Sequence, residues 1–297
     1  MSGGGGGRNG IASTPLLRLD DLWVRFPGHN RVIEAVRGVS FSVGRERVGI
    51  VGESGSGKSM TGRAILRLIR HPGRMSANCL ELEGEDLLAL SERRMRDIRG
   101  HRISMIMQDP KYSLNPVVRV GEQIAEAYRA HSRVSSGEAR RRAIEMLEAV
   151  QIRDPERVYE TYPHEVSGGM GQRIMIAMML VPEPDLLIAD EPTSALDVTV
   201  QMQVLAVIDK LVAEKGMGLI FISHDLNLVA SFCDRVLIMY AGRIVETCRA
   251  ATLHEAEHPY TRGLLNSLPR IDQPVERLKV LARDEAWSEG AGVDGGT

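Results

Sequence analysis

Short apolar runs alternate with amphipathic stretches along most of the chain, and the runs have the length and composition of buried β-strands. Helical patterns separate most of the later runs. This alternation predicts an α/β fold around a mostly parallel sheet, whose ligands bind beyond the carboxyl ends of the strands. The predicted strands are residues 16–26, 39–43, 47–51, 103–107, 186–189, 219–222 and 235–240.

Two regions depart from the alternation. The early strands have no helices between them, which predicts a small antiparallel layer. Between about residues 113 and 177 the strand pattern is lost, and the stretch GEARRRAIEMLEAVQI repeats apolar residues at helical spacing. We therefore expect a helical insertion in the α/β core.

A glycine-rich stretch, GESGSGKSM, follows the predicted strand 47–51 and precedes an amphipathic helix predicted over residues 60–69. It fits GxxxxGK[ST], in which backbone N–H groups surround phosphates, Lys58 reaches the β and γ oxygens, and the Ser59 hydroxyl can bind Mg²⁺. A plain glycine-rich turn is the alternative, but a chance match in a chain of this length has a probability on the order of one in a hundred. We therefore expect ATP or a related triphosphate to bind at Gly52, Glu53, Ser54, Gly55, Ser56, Gly57, Lys58, Ser59 and Met60.

Two adjacent acids follow the buried run LLIA. Asp190 and Glu191 would be costly there unless they meet a cation or a polar ligand. Neighbouring side chains of a strand point to opposite sides, so Asp190 can hold Mg²⁺ while Glu191 faces an attacking water as general base. The alternative is a solvated strand end before Pro192.

A second glycine cluster, VSGGMGQR, precedes the apolar stretch IMIAMML. Ser167 could cap a helix there, and Gly168 and Gly169 could expose further N–H donors to an anion. A flexible loop between helices is the alternative, and these residues alone favour the loop.

The segments GESGSGKS, IMQDP, VSGGM, LLIADEP, SALD and ISHD occur in this order, and together they resemble the ATP-binding subunit of an ABC transporter over residues 14–250. The resemblance implies a P-loop NTPase core of the RecA-like type, an antiparallel β subdomain and an α-helical subdomain at about residues 113–177. It also implies a sandwich dimer, in which Ser167, Gly168 and Gly169 close over the γ-phosphate held by the glycine loop of the partner.

The same resemblance assigns further site residues. It implies that Gln108 contacts Mg²⁺ and the attacking water, that Asp197 lies at the dimer seam and that His224 touches the γ-phosphate. An aromatic residue near the N-terminus is expected to stack on adenine; Phe26 is our candidate and Trp23 the alternative.

The second glycine cluster departs from the pattern of the family. Met170 and Gly171 stand where most members have Gln or Met followed by a basic residue. The loss of this positive charge predicts a weaker second phosphate site.

The segments SLNP, GGMxQRxMIAMxL and EHPYTRGLLNSLP resemble the subfamily that energises import of dipeptides, oligopeptides, nickel and related solutes. The resemblance implies two transmembrane permease subunits, a second, similar but non-identical ATP-binding subunit, and an external solute-binding protein; in isolation a homodimer is the alternative to the heterodimer. Importers of nickel or opines, a soluble ABC-type ATPase not linked to transport, and a P-loop kinase are the alternatives.

Composition narrows the location and partners. Thirty-seven basic against 39 acidic residues give a net charge of −2, so the chain lacks the basic surplus that duplex binding needs, and nucleic acid is not an expected partner. The three cysteines form no CxxC pair, and no apolar run approaches the roughly 20 residues of a membrane span. We therefore expect a cytoplasmic protein, and the resemblance implies a peripheral position at the cytoplasmic face of the inner membrane. We also expect a disordered N-terminus over residues 1–13 and a C-terminal extension over 251–297, disordered after about 285.

Overall fold

A computed structural model of the chain describes residues 15–28, 31–107, 114–194 and 196–267. The expected disordered segments, residues 1–13 and those after about 285, lie outside these ranges. The strands in the described residues are β1 Leu17–Pro27, β2 Val32–Val43, β3 Arg47–Val51, β4 Arg74–Ser76, β5 Cys79–Leu82, β6 Glu85–Asp86, β7 Ile103–Ile106, β8 Leu186–Asp190, β9 Gly218–Ser223, β10 Arg235–Tyr240 and β11 Arg243–Arg249.

Helices connect most of the later strands. They are α1 Lys58–Ile65, α2 Glu92–Ile98, α3 Val120–Arg129, α4 Ser136–Ala149, α5 Pro155–Tyr159, α6 Gly168–Leu180, α7 Val198–Lys215, α8 Leu226–Phe232 and α9 Pro259–Ser267, with 3-10 helices at Pro163–Glu165 and Ala250–Glu255. Within the described ranges, no helix is long and apolar enough to cross a bilayer.

The central sheet has the strand order β11-β10-β3-β9-β8-β7 and is parallel except for β11, which pairs antiparallel with β10. Every residue of β8 and β9 is buried, as expected of parallel strands covered on both faces. The parallel pairing brings the carboxyl ends of β3, β8 and β9 to one edge of the sheet, where Val51 pairs with Ser223 and Asp190 with Ile222. The predicted mostly parallel sheet is confirmed.

A second, antiparallel sheet has the order β2-β1-β5-β6, with β4 also paired to β1. It confirms the predicted antiparallel layer, although the predicted strand 47–51 belongs to the parallel sheet instead. The predicted start of β2 at residue 39 is wrong, because the strand begins at Val32. β2 is an edge strand whose first residues are exposed, Val32 by 56% and Ile33 by 54%, so its first half shows no clear alternation of buried and polar positions.

The other six predicted strands agree with the structure to within one residue at each end. The helix predicted over residues 60–69 is wrong at both ends, since α1 begins at Lys58 and ends at Ile65. Arg67 then adopts a left-handed backbone with φ of 53°, which an α-helix cannot continue. The short strands β4 to β6, the helix α2 and the polar strand β11 were not predicted, because they are too short or too exposed to carry a hydrophobic period.

Between β7 and β8 the described residues form helices α3 to α6 and no strand. The helices pack through apolar faces around Ile124, Leu147 and Ile174, which are fully buried, and the Tyr159 side chain of α5 is 1% exposed. The helical insertion thus has its own packed interior, continuous with the core on one face of the parallel sheet.

Candidate nucleotide-binding site

The glycine loop connects the end of β3 to the start of α1. A Cβ atom at Gly52 would lie 2.0 Å from the backbone oxygen of Met239, so no other residue fits there without moving β10. Gly57 has φ of 103°, and a Cβ on it would lie 2.5 Å from the backbone oxygen of Ala35. The loop is therefore pressed between β2 and β10, and the Gly242 N–H donates to its Ser56 carbonyl at 2.9 Å.

Lys58 lies under the loop. Its Nζ donates to the carbonyl oxygens of Gly52 and Glu53, each at 2.8 Å, and the residue is 5% exposed. Burial lowers the pKa of the Lys58 ammonium, while the nearby carboxylates of Glu191 and Asp190 act in the opposite direction. An ammonium has three N–H donors, so the two bonds to the loop leave one for a phosphate oxygen.

Ser59 and Asp190 meet across the edge of the sheet. The Ser59 hydroxyl donates to Asp190 Oδ1 at 2.8 Å, although the two residues are 131 positions apart in the chain. Asp190 is 4% exposed, and burial raises the pKa of its carboxyl. A hydroxyl and a buried carboxylate are oxygen ligands of the kind that Mg²⁺ takes, so the residues present fit a magnesium ion.

Glu191 lies just beyond the strand rather than in it. The expectation that Asp190 and Glu191 alternate as neighbours of one strand is wrong, because β8 ends at Asp190 and Glu191 has φ of 48°. Its backbone N–H donates to the Ile222 carbonyl at 2.9 Å, and its Oε1 lies 3.2 Å from Nδ1 of His224. This turn brings the Glu191 carboxylate and the His224 ring together at the carboxyl edge of the sheet.

These groups surround an open cavity of about 580 Å³. Its lining residues are Ala35, Ser54, Gly55, Gly57, Lys58, Ser59, Met60, Glu191 and His224. The structure thus brings the glycine loop, the acid after β8 and the histidine after β9 to one place.

The second glycine cluster forms the first turn of α6. The Ser167 Oγ accepts a hydrogen bond from the Met170 N–H at 3.4 Å, and the helix begins at Gly168. The flexible-loop alternative, and a helix start as late as IMIAMML, are therefore wrong. A Cβ on Gly169 would lie 2.8 Å from Cγ1 of Val200, so this glycine lets α6 approach α7.

The second glycine cluster does not line the cavity of its own chain within the described residues. Ser167 and Gly168 are exposed. The buried Gln172 side chain of the same helix donates to the Pro192 carbonyl, one residue after Glu191. The helix of the second glycine cluster is thus hydrogen-bonded to the segment after β8, while Ser167 and Gly168 are exposed to solvent.

Of the remaining residues predicted for the nucleotide site, Gln108 lies outside the described residues. Asp197 is exposed and caps α7, with Oδ1 accepting from the Val200 N–H at 3.0 Å. Phe26 packs against Gly73, while Trp23 donates from Nε1 to Asp21 at 2.8 Å and carries the Arg25 guanidinium 4.1 Å above its ring. Neither aromatic residue is among the described residues that line the cavity.

One contact to the loop was not anticipated from the sequence. The Tyr260 hydroxyl accepts a hydrogen bond from the Glu53 N–H at 3.1 Å, across 207 positions of the chain. The segment EHPYTRGLLNSLP contains this tyrosine, but nothing in its spacing relates it to the glycine loop.

A phosphate-sized loop at the carboxyl edge of a parallel sheet, with a buried acid facing its serine, defines the class of P-loop nucleoside triphosphatases. Within this class, residues 36–194 match the family model described as ABC transporter. The chain belongs to the ATP-binding proteins of this family, and it is an ATPase.

Curated relatives cover most of the chain. A probable peptide ABC transporter ATP-binding protein, y4tR of Sinorhizobium fredii, is 53% identical over 257 residues, covering 86% of this chain and 77% of that protein. The dipeptide transport ATP-binding protein DppD of Escherichia coli is 48% identical over 268 residues, covering 90% and 82%. The oligopeptide transport ATP-binding protein OppD of Bacillus subtilis is 47% identical over 269 residues, covering 90% and 75%.

Solved structures of similar fold are ATP-binding cassettes. The dimeric post-hydrolysis structure of the cassette MJ0796 bound to ADP and Pi aligns with a TM-score of 0.69 and 26% identity, over 79% of this chain and 98% of that one. A second dimeric structure of MJ0796 aligns with a TM-score of 0.71 at the same identity and coverage. The predicted P-loop NTPase core with antiparallel β and helical subdomains is thereby confirmed.

Proposed function

We propose that this chain binds and hydrolyses ATP to energise an ABC importer of peptides or related small solutes. The main support for the site is that Lys58, Ser59 and Glu191 line one cavity at the carboxyl edge of the sheet. The Ser59 hydroxyl also donates to the buried Asp190 carboxylate there. The solute class is taken from the relatives, whose names give peptide, dipeptide and oligopeptide transport.

In the proposed mechanism, the N–H groups of the glycine loop and the Lys58 ammonium hold the phosphates. Ser59, Asp190 and Gln108 would hold Mg²⁺, which would supply charge stabilisation at the phosphoryl oxygens. Glu191 acts as general base on the attacking water, and His224, 3.2 Å from its carboxylate, contacts the γ-phosphate. Phe26 is retained as the candidate that stacks on adenine; to do so, its ring would have to leave its contact with Gly73.

The outward position of the second glycine cluster supports a sandwich dimer. Ser167 and Gly168 are exposed, and the neighbouring start of α7 exposes two large apolar side chains, Val198 by 76% and Met202 by 59%. We propose that this surface faces the glycine loop of a partner subunit, with Ser167, Gly168 and Gly169 on its γ-phosphate and Asp197 at the seam.

The proposed partner in the transporter is a second, similar but non-identical ATP-binding subunit, and the pair lies under two transmembrane permease subunits at the cytoplasmic face of the inner membrane. In isolation, a second copy of this chain takes the place of that subunit. A separate extracytoplasmic protein binds the solute and delivers it to the permeases. Co-purification with two multi-span proteins tests this arrangement; a soluble ABC-type ATPase would be isolated without them.

Two variants of the full chain separate binding from chemistry. Lys58→Ala removes the cation from the phosphate site, so ATP affinity measured by calorimetry is expected to fall at least tenfold. Glu191→Gln keeps the shape of the side chain but removes the base, so ATP still binds, hydrolysis is lost and the closed dimer accumulates on size exclusion.

Binding of ATP to the glycine loop is contradicted if Lys58→Ala binds ATP as tightly as wild type does. The assignment of Glu191 as general base is contradicted if Glu191→Gln hydrolyses ATP at a rate near that of wild type.

A further inference from the structure

One peptide group at the entrance of the glycine loop is held from both sides. The carbonyl of Gly52 and the N–H of Glu53 belong to the same planar trans peptide bond, so they point in opposite directions. Lys58 Nζ donates to the carbonyl at 2.8 Å, and the Tyr260 hydroxyl accepts from the N–H at 3.1 Å. The orientation of this peptide sets the direction in which the chain enters the loop.

The Tyr260 hydroxyl is rigidly supported. The Tyr260 residue is fully buried, and its ring centroid lies 4.6 Å from that of Tyr240 at the end of β10. Thr261 beside it is also fully buried, and Leu264 and Leu265 of α9 pack against the main core. The ring therefore cannot turn its hydroxyl away without displacing α9.

The start of α9 is itself fixed to the central sheet. Oε1 of Glu246, in β11, accepts hydrogen bonds from the N–H groups of Glu257 at 2.7 Å and His258 at 3.2 Å. Both residues immediately precede α9, so these bonds fix the direction in which the chain enters the helix, and the carboxylate also meets the positive end of the helix dipole. Tyr260, whose hydroxyl contacts the glycine loop, thus lies in the first turn of a helix whose start is hydrogen-bonded to β11.

We propose that Tyr260 is a positioning residue for ATP binding, which holds the Gly52–Glu53 peptide so that the loop is preformed before the nucleotide arrives. The inference rests on the proposed binding of the triphosphate by this loop. Lys58 holds the same peptide, but its ammonium must also contact phosphate. Tyr260 holds the opposite side, so its bond does not compete with the ligand. A preformed loop loses less conformational entropy when it binds, which raises affinity.

The test compares Tyr260→Phe with wild type in the full chain. Phenylalanine keeps the ring and its packing and removes only the hydroxyl. A neutral hydrogen bond contributes enough to shift an equilibrium by about 3- to 10-fold, so the Kd for ATP by calorimetry and the KM of the ATPase should rise by this factor. Amide exchange in a peptide spanning residues 49–57 should become faster, because the Glu53 N–H loses its acceptor.

Tyr159→Phe is the matched control. Tyr159 is 1% exposed, and its hydroxyl is bonded to Glu122 Oε1 at 2.8 Å, but it lies on α5 in the helical insertion. Loss of the Tyr159 hydroxyl should lower the melting temperature at least as much as Tyr260→Phe does, because its bond is to a carboxylate, without changing the Kd for ATP or exchange in the loop.

The inference is overturned if Tyr260→Phe binds ATP as tightly as wild type, or if Tyr159→Phe weakens binding equally. Lys58→Ala, measured alongside, separates the role of Tyr260 from the role of the glycine loop as the ATP site. If Lys58→Ala weakens binding and Tyr260→Phe does not, only the role of Tyr260 is lost. If neither does, the glycine loop is not the ATP site.

Discussion

The buried Asp190 carboxylate predicts that the metal-free protein becomes more stable when this site is disabled. Asp190 is 4% exposed and accepts a hydrogen bond from Ser59 Oγ. Burial is the main cause of its raised pKa, and together with repulsion from Glu191 it outweighs the hydrogen bond from Ser59 and the attraction of Arg63 and Lys58. The folded chain therefore holds a carboxylate at a net electrostatic cost, which a bound cation would remove.

Asp190→Asn removes the charge and keeps an oxygen that can accept from Ser59. A buried ion costs several kcal/mol, and nearby cations offset part of this. The hydrogen bond to a neutral acceptor is weaker by about 1 kcal/mol than one to a charged acceptor. We expect a net gain of roughly 1–2 kcal/mol in the free energy of unfolding, at the upper end of common stabilising substitutions. For a chain of this length that is a rise in Tm of about 2–4 °C.

The assay is calorimetric melting of the nucleotide-free chain in a chelator at pH 8. Asp225→Asn is the matched control. Asp225 is exposed and caps α8 by accepting from the Leu228 N–H at 3.1 Å, and asparagine caps equally well, so its Tm should change by less than about 1 °C. With saturating Mg²⁺ and ATP, wild type should melt at a higher temperature than Asp190→Asn. A ligand at 100 times its Kd stabilises wild type by about 2.7 kcal/mol, and the variant binds the metal less well.

The pH dependence of the Tm difference between Asp190→Asn and wild type follows from the raised pKa of Asp190. Because the pKa of Asp190 in the folded chain is higher than the ordinary value of 3.8, the folded state takes up the proton first as the pH falls. The cost of the charge is present above the folded pKa and is lost between the folded pKa and the unfolded one. The advantage of Asp190→Asn should therefore be largest at pH 8 and smaller at pH 4, close to the ordinary pKa of 3.8. A variant that melts below wild type at pH 8 without ligand, or a Tm difference that is the same at both values, would refute the reasoning.

Two further predictions concern glycines. Gly171 is buried, but a Cβ built on it meets no heavy atom within 4 Å outside its chain neighbours and the backbone of its own helix. A side chain can therefore begin there, and Gly171→Arg should raise the ATPase rate of the assembled transporter. With each site disabled in turn by a Glu→Gln change in one subunit, equal rates from both sites and no response to Gly171→Arg would contradict the weaker-site interpretation. Gly52→Ala should abolish ATP binding in calorimetry, because its Cβ would lie 2.0 Å from the Met239 carbonyl, whereas Gly137→Ala, which meets nothing closer than 4.0 Å, should bind ATP as wild type does. Normal binding by Gly52→Ala would show that β10 can move.

Several parts of the site could be predicted from the sequence, because they depend on neighbours along the chain. The glycine loop must follow a strand and open a helix, and both conditions can be read from about a dozen consecutive residues. The strands of the parallel sheet were found for a related reason, since their continuous apolar runs reflect burial on both faces.

Predictions from the local sequence pattern were wrong where the backbone conformation depends on packing against distant parts of the chain. The first half of β2 is a strand because β1 pairs with it, although Val32 and Ile33 are exposed. Glu191 leaves the strand in a left-handed turn, which alternation along β8 cannot indicate. The helix at Gly168 and Gly169 forms despite two poor helix formers, because Ser167 caps it and α7 packs against it.

Only the tertiary structure decided which of these elements meet. The strand order places β9 between β3 and β8, and this order brings the acids at the end of β8, the histidine after β9 and the glycine loop after β3 to one edge. The same folding carries Tyr260 to a loop 207 positions earlier. The sequence by itself determined the chemistry of each segment, since that depends on side chains and short-range geometry. The pairing of segments depends on how the whole chain buries its apolar surface, and no short stretch of sequence contains that information.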